Sequence, residues 1–494
     1  MSGRVRIELH PLGKTIHVER GAPLHDVLFP YGVEFPCGGR GRCARCRVRL
    51  LEGTLDPTPE EVRILGAAEI AAGWRLACHT HAAGDLTLEI AQWETAILAD
   101  SSAFEFTPKE GLGIAVDVGT TTLVAQLLDL RTAHVLGVRT ALNPQVKHGS
   151  DVMSRVEFAL GGGQYELTAL IRGEIGTLIR KLAPREPVRD VVLVGNTVMH
   201  HLFCGISVEP LSHTPFEPVR DGLETLAASE LGWSIPGDPP ARFLPSLGGF
   251  VGSDILAGVL ATRMHERGGL TALLDLGTNG EIIVGNRERM VCASTAAGPA
   301  FEGGRISCGM RAATGAISEV TLREGRLECR VLGHGAPRGI CGSGLVDAVA
   351  CALEVGLIAP SGRLRGSKTL PLAGPVALTQ ADIRELQLAK GATAAGMEIV
   401  LERWGARPQD LERVYLAGAF GNYLNRAGAR RIGLLNFPLD TVEPAGNTAL
   451  LGAKLALFDG AFAHIRQITE HVPLGSDPEF QEKYVSAMPF PDRM

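Results

Sequence analysis

Two short stretches of the sequence each combine an apolar strand, a carboxylate and a Gly-Thr turn. The first is Ile-Ala-Val-Asp-Val-Gly-Thr-Thr-Thr (residues 114–122), and the second is Leu-Leu-Asp-Leu-Gly-Thr-Asn-Gly-Glu (residues 273–281). The carboxylates, Asp117 and Asp275, can hold Mg²⁺ or its waters, and the glycines let backbone N–H groups approach phosphate oxygens. Either copy alone is also an ordinary strand-to-turn pattern. Because a repeated fold can bring two copies to one cleft, we interpret them as two sides of a nucleotide site.

Four cysteines near the start form a second chemical pattern. Cys37, Cys43 and Cys46 lie on a glycine-rich loop with the spacing Cys-x5-Cys-x2-Cys, and Cys78 follows at a distance. Three thiolates on one loop with a fourth from elsewhere can hold a [2Fe–2S] cluster. The alternative is structural zinc, but zinc sites usually pair two short Cys-x2-Cys knuckles. We therefore predict a [2Fe–2S] cluster, on a loop that resembles that of the adrenodoxin-like β-grasp ferredoxins.

Composition narrows the class of protein. The chain has 494 residues and a net charge of -6, which gives no reason to expect nucleic acid or an anionic membrane as a partner. No apolar run reaches spanning length, and the start lacks the apolar core of a signal peptide. We expect a soluble cytoplasmic protein without disulfides. Six further cysteines are interpreted as small buried side chains: Cys204, Cys292, Cys308, Cys329, Cys341 and Cys351.

The first ninety residues must position the cysteine loop. Alternating polar and apolar residues predict a β-hairpin over 4–10 and 14–19 and a strand over 47–51. Thr58-Pro-Glu-Glu is typical of a helix start, and a last strand is predicted over 85–90.

Small polar residues follow predicted elements further along the chain. Gly-Asn-Thr (195–197) follows the apolar strand 190–194, at the strand end where open α/β sheets bind ligands. The stretch 149–155 opens a helix, and we leave open whether it is an ordinary cap or a substrate-side or dimer loop. Helices rich in small residues begin near Gly248 and Gly446, and we interpret them as partners across a hinge.

Two glycine-rich turns precede helices in the last third of the chain. Gly342 lies in Cys-Gly-Ser-Gly (341–344), which is either an anion site at a helix N-terminus or a plain helix cap. The strand 414–417 leads into Gly-Ala-Phe-Gly-Asn (418–422), where glycines would let a purine lie against the backbone.

The order of these motifs resembles that of the acetate kinase, sugar kinase, Hsp70 and actin superfamily. With a [2Fe–2S] domain in front, the chain resembles one family, the reductive activators of corrinoid-dependent enzymes. The matching motifs lie at residues 117–122, 143–145, 195–197, 275–281, 298–303, 341–344 and 416–422, and the cysteine loop matches as well.

The resemblance implies a function and its site residues. Family members use ATP hydrolysis to pass an electron from their cluster to a cob(II)alamin centre, which regenerates cob(I)alamin. Asp117 and Asp275 would serve Mg²⁺ and the attacking water. The implied phosphate contacts are Gly119, Thr120, Thr121, Thr122, Gly277, Thr278 and Asn279, and the implied adenosine contacts are Gly418, Phe420, Gly421 and Asn422. The partners would be a corrinoid protein or corrinoid-dependent methyltransferase and an upstream electron donor, and a homodimer is left open.

The same resemblance implies a multidomain chain: a β-grasp [2Fe–2S] ferredoxin domain and a two-lobed α/β ATPase with duplicated ribonuclease H-like lobes. The predicted limits are 1–92 for the ferredoxin-like domain, 93–111 for a linker, 112–260 for the first ATPase lobe, 261–465 for the second and 466–494 for a C-terminal tail.

Two departures from the family pattern bear on its subgroups. The linker is about twenty residues, so the dimer contacts that a longer region makes in some members are left open here. No cysteine follows Cys351, which places the chain with the [2Fe–2S] activators rather than with those carrying C-terminal [4Fe–4S] cysteines. Two other functions stay open: a small-molecule kinase with a redox-sensing cluster, and a non-catalytic ferredoxin-type docking module.

Overall fold

The computed structural model describes most of the chain, which forms two compact units. Unit 1 comprises the described residues up to His265 together with 447–471, and unit 2 comprises 266–446 and 472–492. Cys37, Cys43 and residues 93–105 of the predicted linker lie outside the described residues. The described residues are 3–10, 14–28, 31, 33, 46–90, 106–149, 151–182, 184, 186–310, 312, 315–332 and 336–492.

The first ninety residues form a five-stranded sheet in the order β2-β1-β5-β3-β4, in which β1 and β5 are parallel. The predicted hairpin is confirmed, and Val5, Ile7 and Leu9 point from its first strand into the core. Thr58 caps the following helix, and the Glu61 side chain accepts from the Thr58 N–H in return. The elements are β1 (Arg4–His10), β2 (Lys14–Glu19), α1 (Leu24–Leu28), β3 (Arg47–Glu52), α2 (Pro59–Ala71), β4 (Trp74–Leu76) and β5 (Leu86–Glu89).

The next part of unit 1 is a six-stranded sheet in the order β10-β11-β9-β6-β7-β8. Strands β6, β7 and β8 are antiparallel neighbours, whereas β9 is parallel to β6 and β11 is parallel to β9. The elements are β6 (Leu112–Val118), β7 (Thr122–Asp129), β8 (His134–Leu142), α3 (Val152–Phe158), α4 (Gln164–Leu182), β9 (Val188–Val194), α5 (Thr197–Cys204), β10 (Glu224–Ala227), β11 (Pro240–Phe243) and α6 (Ser253–Thr262).

Unit 2 contains a sheet with five strands in the order β21-β20-β12-β13-β14. Strands β12, β13 and β14 are antiparallel neighbours, β20 is parallel to β12, and β21 is parallel to β20. The elements are β12 (Thr271–Leu276), β13 (Gly280–Gly285), β14 (Met290–Thr295), β15 (Ala316–Arg323), β16 (Arg326–Val331), β17 (Gly339–Ile340), α7 (Gly342–Glu354), β18 (Thr369–Ala373), β19 (Val376–Thr379), α8 (Gln380–Trp404), β20 (Arg413–Ala417), α9 (Gly418–Tyr423), α10 (Arg426–Arg431) and β21 (Val442–Gly446).

Five strands of each larger sheet therefore share one topology: three antiparallel strands, with two parallel strands added beside the first of them. This confirms the predicted duplicated α/β architecture. In each sheet the first strand lies between an antiparallel and a parallel neighbour, and its penultimate residue is the predicted acidic residue, Asp117 on β6 and Asp275 on β12. Parallel strands and their crossover helices leave the carboxyl ends of the strands as the place for ligands.

Residues 447–471 belong to unit 1, whereas the sequence analysis placed 447–465 in the second lobe and 466–471 in the C-terminal tail. Helix α11 (Thr448–Leu455) packs against α6, and any side chain at Gly452 would collide with the Ala257 carbonyl. The pairing of the two small-residue helices is thus confirmed, and the hinge between them stays a prediction. Helix α12 (Phe462–Ile468) and strand β22 (Thr469–His471) follow.

The C-terminal residues, predicted to be a tail without chemistry, are part of the core of unit 2. Helix α13 (Phe480–Ala487) packs on α8, and Phe490 is buried. Two side chains of α8 donate to the backbone that follows α13: Gln387 Nε2 to Met488 O (3.1 Å) and Lys390 Nζ to Pro489 O (2.6 Å). In the part of the chain that the structure describes, no helix has both the length and the apolar character needed to cross a bilayer.

Candidate functional site

The first acidic turn, residues 117–122, begins at the carboxyl end of β6. Asp117 is half-buried, and its register neighbours are Val124 and Val194, so hydrocarbon flanks the carboxylate. Burial raises the pKa of Asp117 to about 6, against the smaller lowering that comes from Asn447 Nδ2, which donates to Asp117 Oδ2 at 3.1 Å. A carboxylate whose charge is poorly solvated is stabilised by a cation, so the position suits Mg²⁺.

The carbonyl oxygens of the first acidic turn are held from one side. Asn143 Nδ2 donates to Gly119 O (3.0 Å), Arg155 Nη2 to Thr120 O (2.5 Å), and the Asn143 N–H to Thr121 O (2.9 Å). Because a trans peptide directs its C=O and N–H oppositely, the N–H groups that follow these carbonyls point away from the three contacts. Within the described ranges, the N–H groups of Thr120 and Thr121 meet no acceptor. Backbone donors without an acceptor suit an anion.

Gly119 and Thr122 close this turn. A Cβ at Gly119 would lie 2.5 Å from the Thr122 carbonyl oxygen, so only glycine permits the approach. Thr122 begins β7 and is exposed, which leaves its hydroxyl accessible to a ligand.

A Gly-Asn-Thr sequence occurs twice, at residues 195–197 and 446–448. Each asparagine uses Oδ1 to cap the helix that follows it and Nδ2 to contact the first acidic turn. Asn196 donates to Thr120 Oγ1 at 2.9 Å, and Asn447 makes the bond to the carboxylate described above. Sequence reasoning placed Asn196 at a ligand-binding edge but missed Asn447, although the repeated tripeptide was the feature that could have revealed it.

The second acidic turn, residues 275–280, makes different contacts. The Gly277 N–H donates within the turn to Asn279 O (3.0 Å), and Thr278 Oγ1 donates to Glu302 Oε1 (2.7 Å). The Gly298 N–H donates to Thr278 O (2.8 Å). Glu302 is exposed and was not predicted as a site residue, although it lies in one of the matched motifs. This turn therefore places a second carboxylate beside its threonine.

Asp275 is fixed against the predicted adenosine turn. Gly418 has a φ of +76°, and a Cβ there would collide with Asp275 Oδ1, so glycine is required for two independent reasons. The neighbouring residue, Ala417, is the register partner of Asp275 on β20. The parallel pairing of β12 and β20 thus brings the acidic residue and the glycine together from distant parts of the sequence.

An aromatic pair lies beside these residues. The rings of Phe301 and Phe420 stack with centroids 4.7 Å apart, and any side chain at Gly342 would collide with the Phe301 carbonyl. Gly421 packs on Leu416, where a Cβ would lie 3.1 Å from the Leu416 backbone carbon. Phe420 is buried, so its contribution here is to the stack. The side chain of Asn422 lies outside what the structure describes.

Two of the predicted cluster ligands are described, and they are adjacent. Cys46 precedes β3 and Cys78 follows β4, and the antiparallel pairing of these strands brings their Sγ atoms to 3.2 Å. Cys46 is buried and Cys78 is half-buried. The Ala77 N–H donates to Cys46 O (2.8 Å), which ties the two segments together. Two neighbouring sulfurs fit the ligand pair of one iron in a [2Fe–2S] cluster.

Comparisons with known proteins agree with this arrangement. The family model of the 2Fe-2S iron-sulfur cluster binding domain matches residues 7–83, that of the RACo middle region matches 112–267, and that of the C-terminal domain of RACo, the ASKHA domain, matches 269–494.

Relatives cover most of the chain. The corrinoid activation enzyme RamQ of Eubacterium limosum is 35% identical over 421 residues, which span 77% of this chain and 71% of RamQ. The [Co(II) methylated amine-specific corrinoid protein] reductase of Methanosarcina barkeri is 27% identical over 417 residues, 76% of this chain and 77% of that protein. The solved structure of a reductive activator for corrinoid, iron-sulfur protein has a TM-score of 0.69 and 26% identity, and the match covers 99% of this chain and 98% of that one.

The fold and the comparisons define a class of protein in which an N-terminal iron–sulfur domain is joined to an ASKHA-type domain. Within that class, the chain belongs to the family of reductive activators of corrinoid proteins.

Proposed function

We propose that this protein reductively activates a corrinoid protein in a reaction driven by ATP. One electron passes from the reduced [2Fe–2S] cluster to cob(II)alamin, which becomes cob(I)alamin, while ATP and water give ADP and phosphate. An upstream donor returns the electron to the cluster. The corrinoid partner is either a corrinoid protein or a corrinoid-dependent methyltransferase.

The observation that carries this proposal is the presence, in one chain of this family, of a pair of thiols that suits a redox cluster and a turn that suits a phosphate. The paired thiols of Cys46 and Cys78, 3.2 Å apart, suit an iron of the cluster. The unpaired N–H groups of Thr120 and Thr121, next to Asp117, suit a phosphate with its cation. A cluster site does not need a phosphate site, and a phosphate site does not need a cluster. The presence of both in one chain therefore supports electron transfer that is coupled to ATP.

The residues of the chain have distinct roles in this proposal. Cys46 and Cys78, with Cys37 and Cys43, hold the cluster, which when bound supplies electrons singly. The first acidic turn binds phosphate oxygens through its N–H groups and the Thr122 hydroxyl. Further proposed contacts are Gly277, Thr278 and Asn279 for phosphates, Gly342 for an anion, and Gly418, Phe420, Gly421 and Asn422 for the adenosine.

The two acidic residues organise the hydrolytic step. Asp117 and Asp275 would each hold Mg²⁺ or its waters or orient the attacking water, which is the contribution that carboxylates at phosphate sites make. ATP can drive an unfavourable electron transfer only if its binding or hydrolysis favours one conformation of the protein over another. Mutation of a cluster ligand should therefore abolish cob(II) reduction and leave ATP hydrolysis, whereas mutation of the ATP site should abolish both activities.

The test is anaerobic mixing of the reconstituted protein with candidate corrinoid proteins in the cob(II) state, with and without ATP and Mg²⁺. We expect the absorbance of cob(I) to appear only with ATP. Cys46→Ser should abolish cob(II) reduction and leave ATP hydrolysis, whereas Asp117→Ala should abolish both.

The outcome also separates the remaining functions. Full cob(II) reduction by the Asp117→Ala protein would refute the coupling to ATP. A phosphorylated metabolite formed without cob(I) would indicate a kinase with a redox-sensing cluster. Electron transfer with no nucleotide binding in calorimetry would indicate a docking module.

A further inference from the structure

The side chain of Arg155 on α3 is fully buried and makes four hydrogen bonds. Its Nε donates to Gly149 O (3.0 Å), its Nη1 to Gln145 Oε1 (3.0 Å) and to Met199 Sδ (3.5 Å), and its Nη2 to Thr120 O (2.5 Å). The last of these acceptors is a carbonyl of the first acidic turn. The guanidinium therefore lies directly behind the backbone that presents its N–H groups on the opposite side.

All four acceptors of the Arg155 side chain are neutral. The acid that acts on it electrostatically is Asp151, whose carboxylate is engaged as a helix cap by the Ser154 N–H (2.9 Å). Among the described residues, no carboxylate forms an ion pair with Arg155. Burial lowers the pKa of Arg155 to about 10, with Asp151 acting in the opposite direction, so the side chain stays protonated at neutral pH.

A buried cation with neutral partners only is unfavourable, because hydrogen bonds to carbonyl groups do not replace an opposite charge. The favourable circumstance for such a group is an anion at short range in the same low-dielectric surroundings. The first acidic turn can bind such an anion close to Arg155. Its free N–H groups lie on the far side of the peptide whose carbonyl Arg155 binds.

We propose that Arg155 is a positioning residue for the polyphosphate of the nucleotide. It fixes the Thr120 carbonyl, which turns the Thr121 N–H toward a phosphate, and it places a positive charge behind the turn. Its effect therefore grows with the negative charge of the ligand. This inference rests on the proposed binding of ATP at the first acidic turn.

A merely structural role for Arg155 would have a different signature. Loss of the hydrogen bond to the Thr120 carbonyl alone would loosen the turn and weaken the binding of every nucleotide to a similar extent. Loss of a charge weakens ATP most, ADP less and AMP least. The comparison of the three nucleotides thus separates the two roles.

The experiment is calorimetric titration of the full-length, cluster-loaded protein with the Mg²⁺ complexes of a non-hydrolysable ATP analogue and ADP, and with AMP. For Arg155→Gln we expect the affinity to fall about tenfold for the ATP analogue, about threefold for ADP and little for AMP. Arg155→Lys should restore the preference for the triphosphate, because it restores the charge.

Arg172 provides the matched control. It lies on α4 in the same unit, is half-buried, and donates from Nε to the Phe203 carbonyl (2.7 Å). Arg172→Gln should leave all three affinities unchanged. Equal losses for the three nucleotides in Arg155→Gln would overturn the proposal, as would an unchanged affinity for the ATP analogue.

A second variant keeps the test decisive if Arg155→Gln does not fold. Asp151→Asn retains a helix cap of equal quality and removes the nearby negative charge. We expect it to strengthen binding of the ATP analogue two- to threefold, because it removes a negative charge that repels the polyphosphate. Unchanged or weaker binding by this variant would overturn the proposal. Absence of nucleotide binding by the unmodified protein would instead refute the proposed function.

Discussion

The two acidic turns occupy equivalent positions in two sheets of the same topology, yet their surroundings differ. In the first, side chains of Asn143 and Arg155 bind the carbonyl oxygens, so the N–H groups of the turn are left for a ligand. In the second, the Gly277 N–H is used within the turn, and the Thr278 hydroxyl is bound by Glu302.

This difference shows how a duplicated motif acquires two chemical roles. An arginine behind the turn favours an anion, whereas a carboxylate beside the threonine of the turn favours a cation or a water molecule. The sequence of each turn is similar, so the distinction comes from what packs against it. We therefore expect mutations at equivalent positions to have different consequences.

The largest effect is expected for the acidic residues themselves. Asp117→Asn and Asp275→Asn should each reduce ATP hydrolysis about thousandfold, because each removes a negative charge that would hold Mg²⁺ or orient water. Phosphate release measures the effect, and the cluster absorbance should be unchanged in both. Near-normal hydrolysis by either variant would show that its turn has no part in the reaction.

The next effect concerns Gly418. Gly418→Ala adds a side chain at a positive φ and forces Asp275 to move, which we expect to cost about 3 kcal/mol in the free energy of unfolding and to abolish hydrolysis. Gly356→Ala is the control, since its φ is +73° and no atom lies within 4 Å of the added Cβ. The control should lose about 1 kcal/mol and keep its activity. If urea unfolding showed the same loss of stability for both variants, the clash with Asp275 would not explain the effect of Gly418→Ala.

The two Gly-Asn-Thr asparagines allow a direct comparison within unit 1. Asn447→Ala removes a helix cap and a hydrogen bond to the Asp117 carboxylate, and should cost about 2 kcal/mol. Asn196→Ala removes a cap and a bond to the neutral Thr120 hydroxyl, and should cost about 1 kcal/mol. Chemical denaturation measures both, and the reverse order would contradict the greater strength assigned to the charged contact.

The two units should also respond differently to pH. Burial lowers the pKa of His200 in unit 1 to about 4, so between pH 6.5 and 4 this residue binds more protons in the unfolded chain. The contribution of His200 to the stability of unit 1 therefore falls as pH decreases, by about 2 kcal/mol at pH 5. Burial lowers the pKa of Lys390 in unit 2 to about 8, so unit 2 gains stability as pH rises from 8 to 10.5. Unfolding curves at pH 5, 7 and 9.5 measure how the free energy of unfolding of each unit changes with pH. His200→Gln should reduce the change between pH 7 and pH 5.

The smallest effect is expected for Glu302. Glu302→Gln keeps a partner for Thr278 but removes the second negative charge of that turn, and should lower kcat for ATP hydrolysis about tenfold with little change in KM. Glu288→Gln, on the loop between β13 and β14, should have no effect. A change in KM alone for Glu302→Gln would mean that this carboxylate acts in binding only.

Local patterns predicted more of the fold than of the site. Helix α2 begins where Thr58 and Glu61 form a capping box, and β20 has the extent that its apolar residues indicated within one residue. These features depend on neighbours in sequence. Residues 447–465 cluster with unit 1, whereas the sequence analysis assigned them to the second lobe. A helix of small residues shows that it packs closely without showing against which helix.

The site residues likewise fall into those that local patterns predicted and those that only folding brings together. The acidic residues, the glycines and the cysteines were found from residue type and spacing, since a turn that approaches phosphate or sulfur needs particular residues in a particular order. The supporting residues were not: Asn447 and Asp117 are 330 positions apart, and Arg155 and Thr120 are 35 apart.

The sequence by itself determined the chemistry that this protein can carry: two acidic Gly-Thr turns, a cysteine loop and the motifs of one family. The tertiary structure alone decided which side chains surround each turn: Asn143 and Arg155 at the first, and Glu302 at the second. The physical reason is that a short motif fixes its own backbone, whereas its unpaired hydrogen-bonding groups and its local charge depend on side chains that folding brings from distant positions.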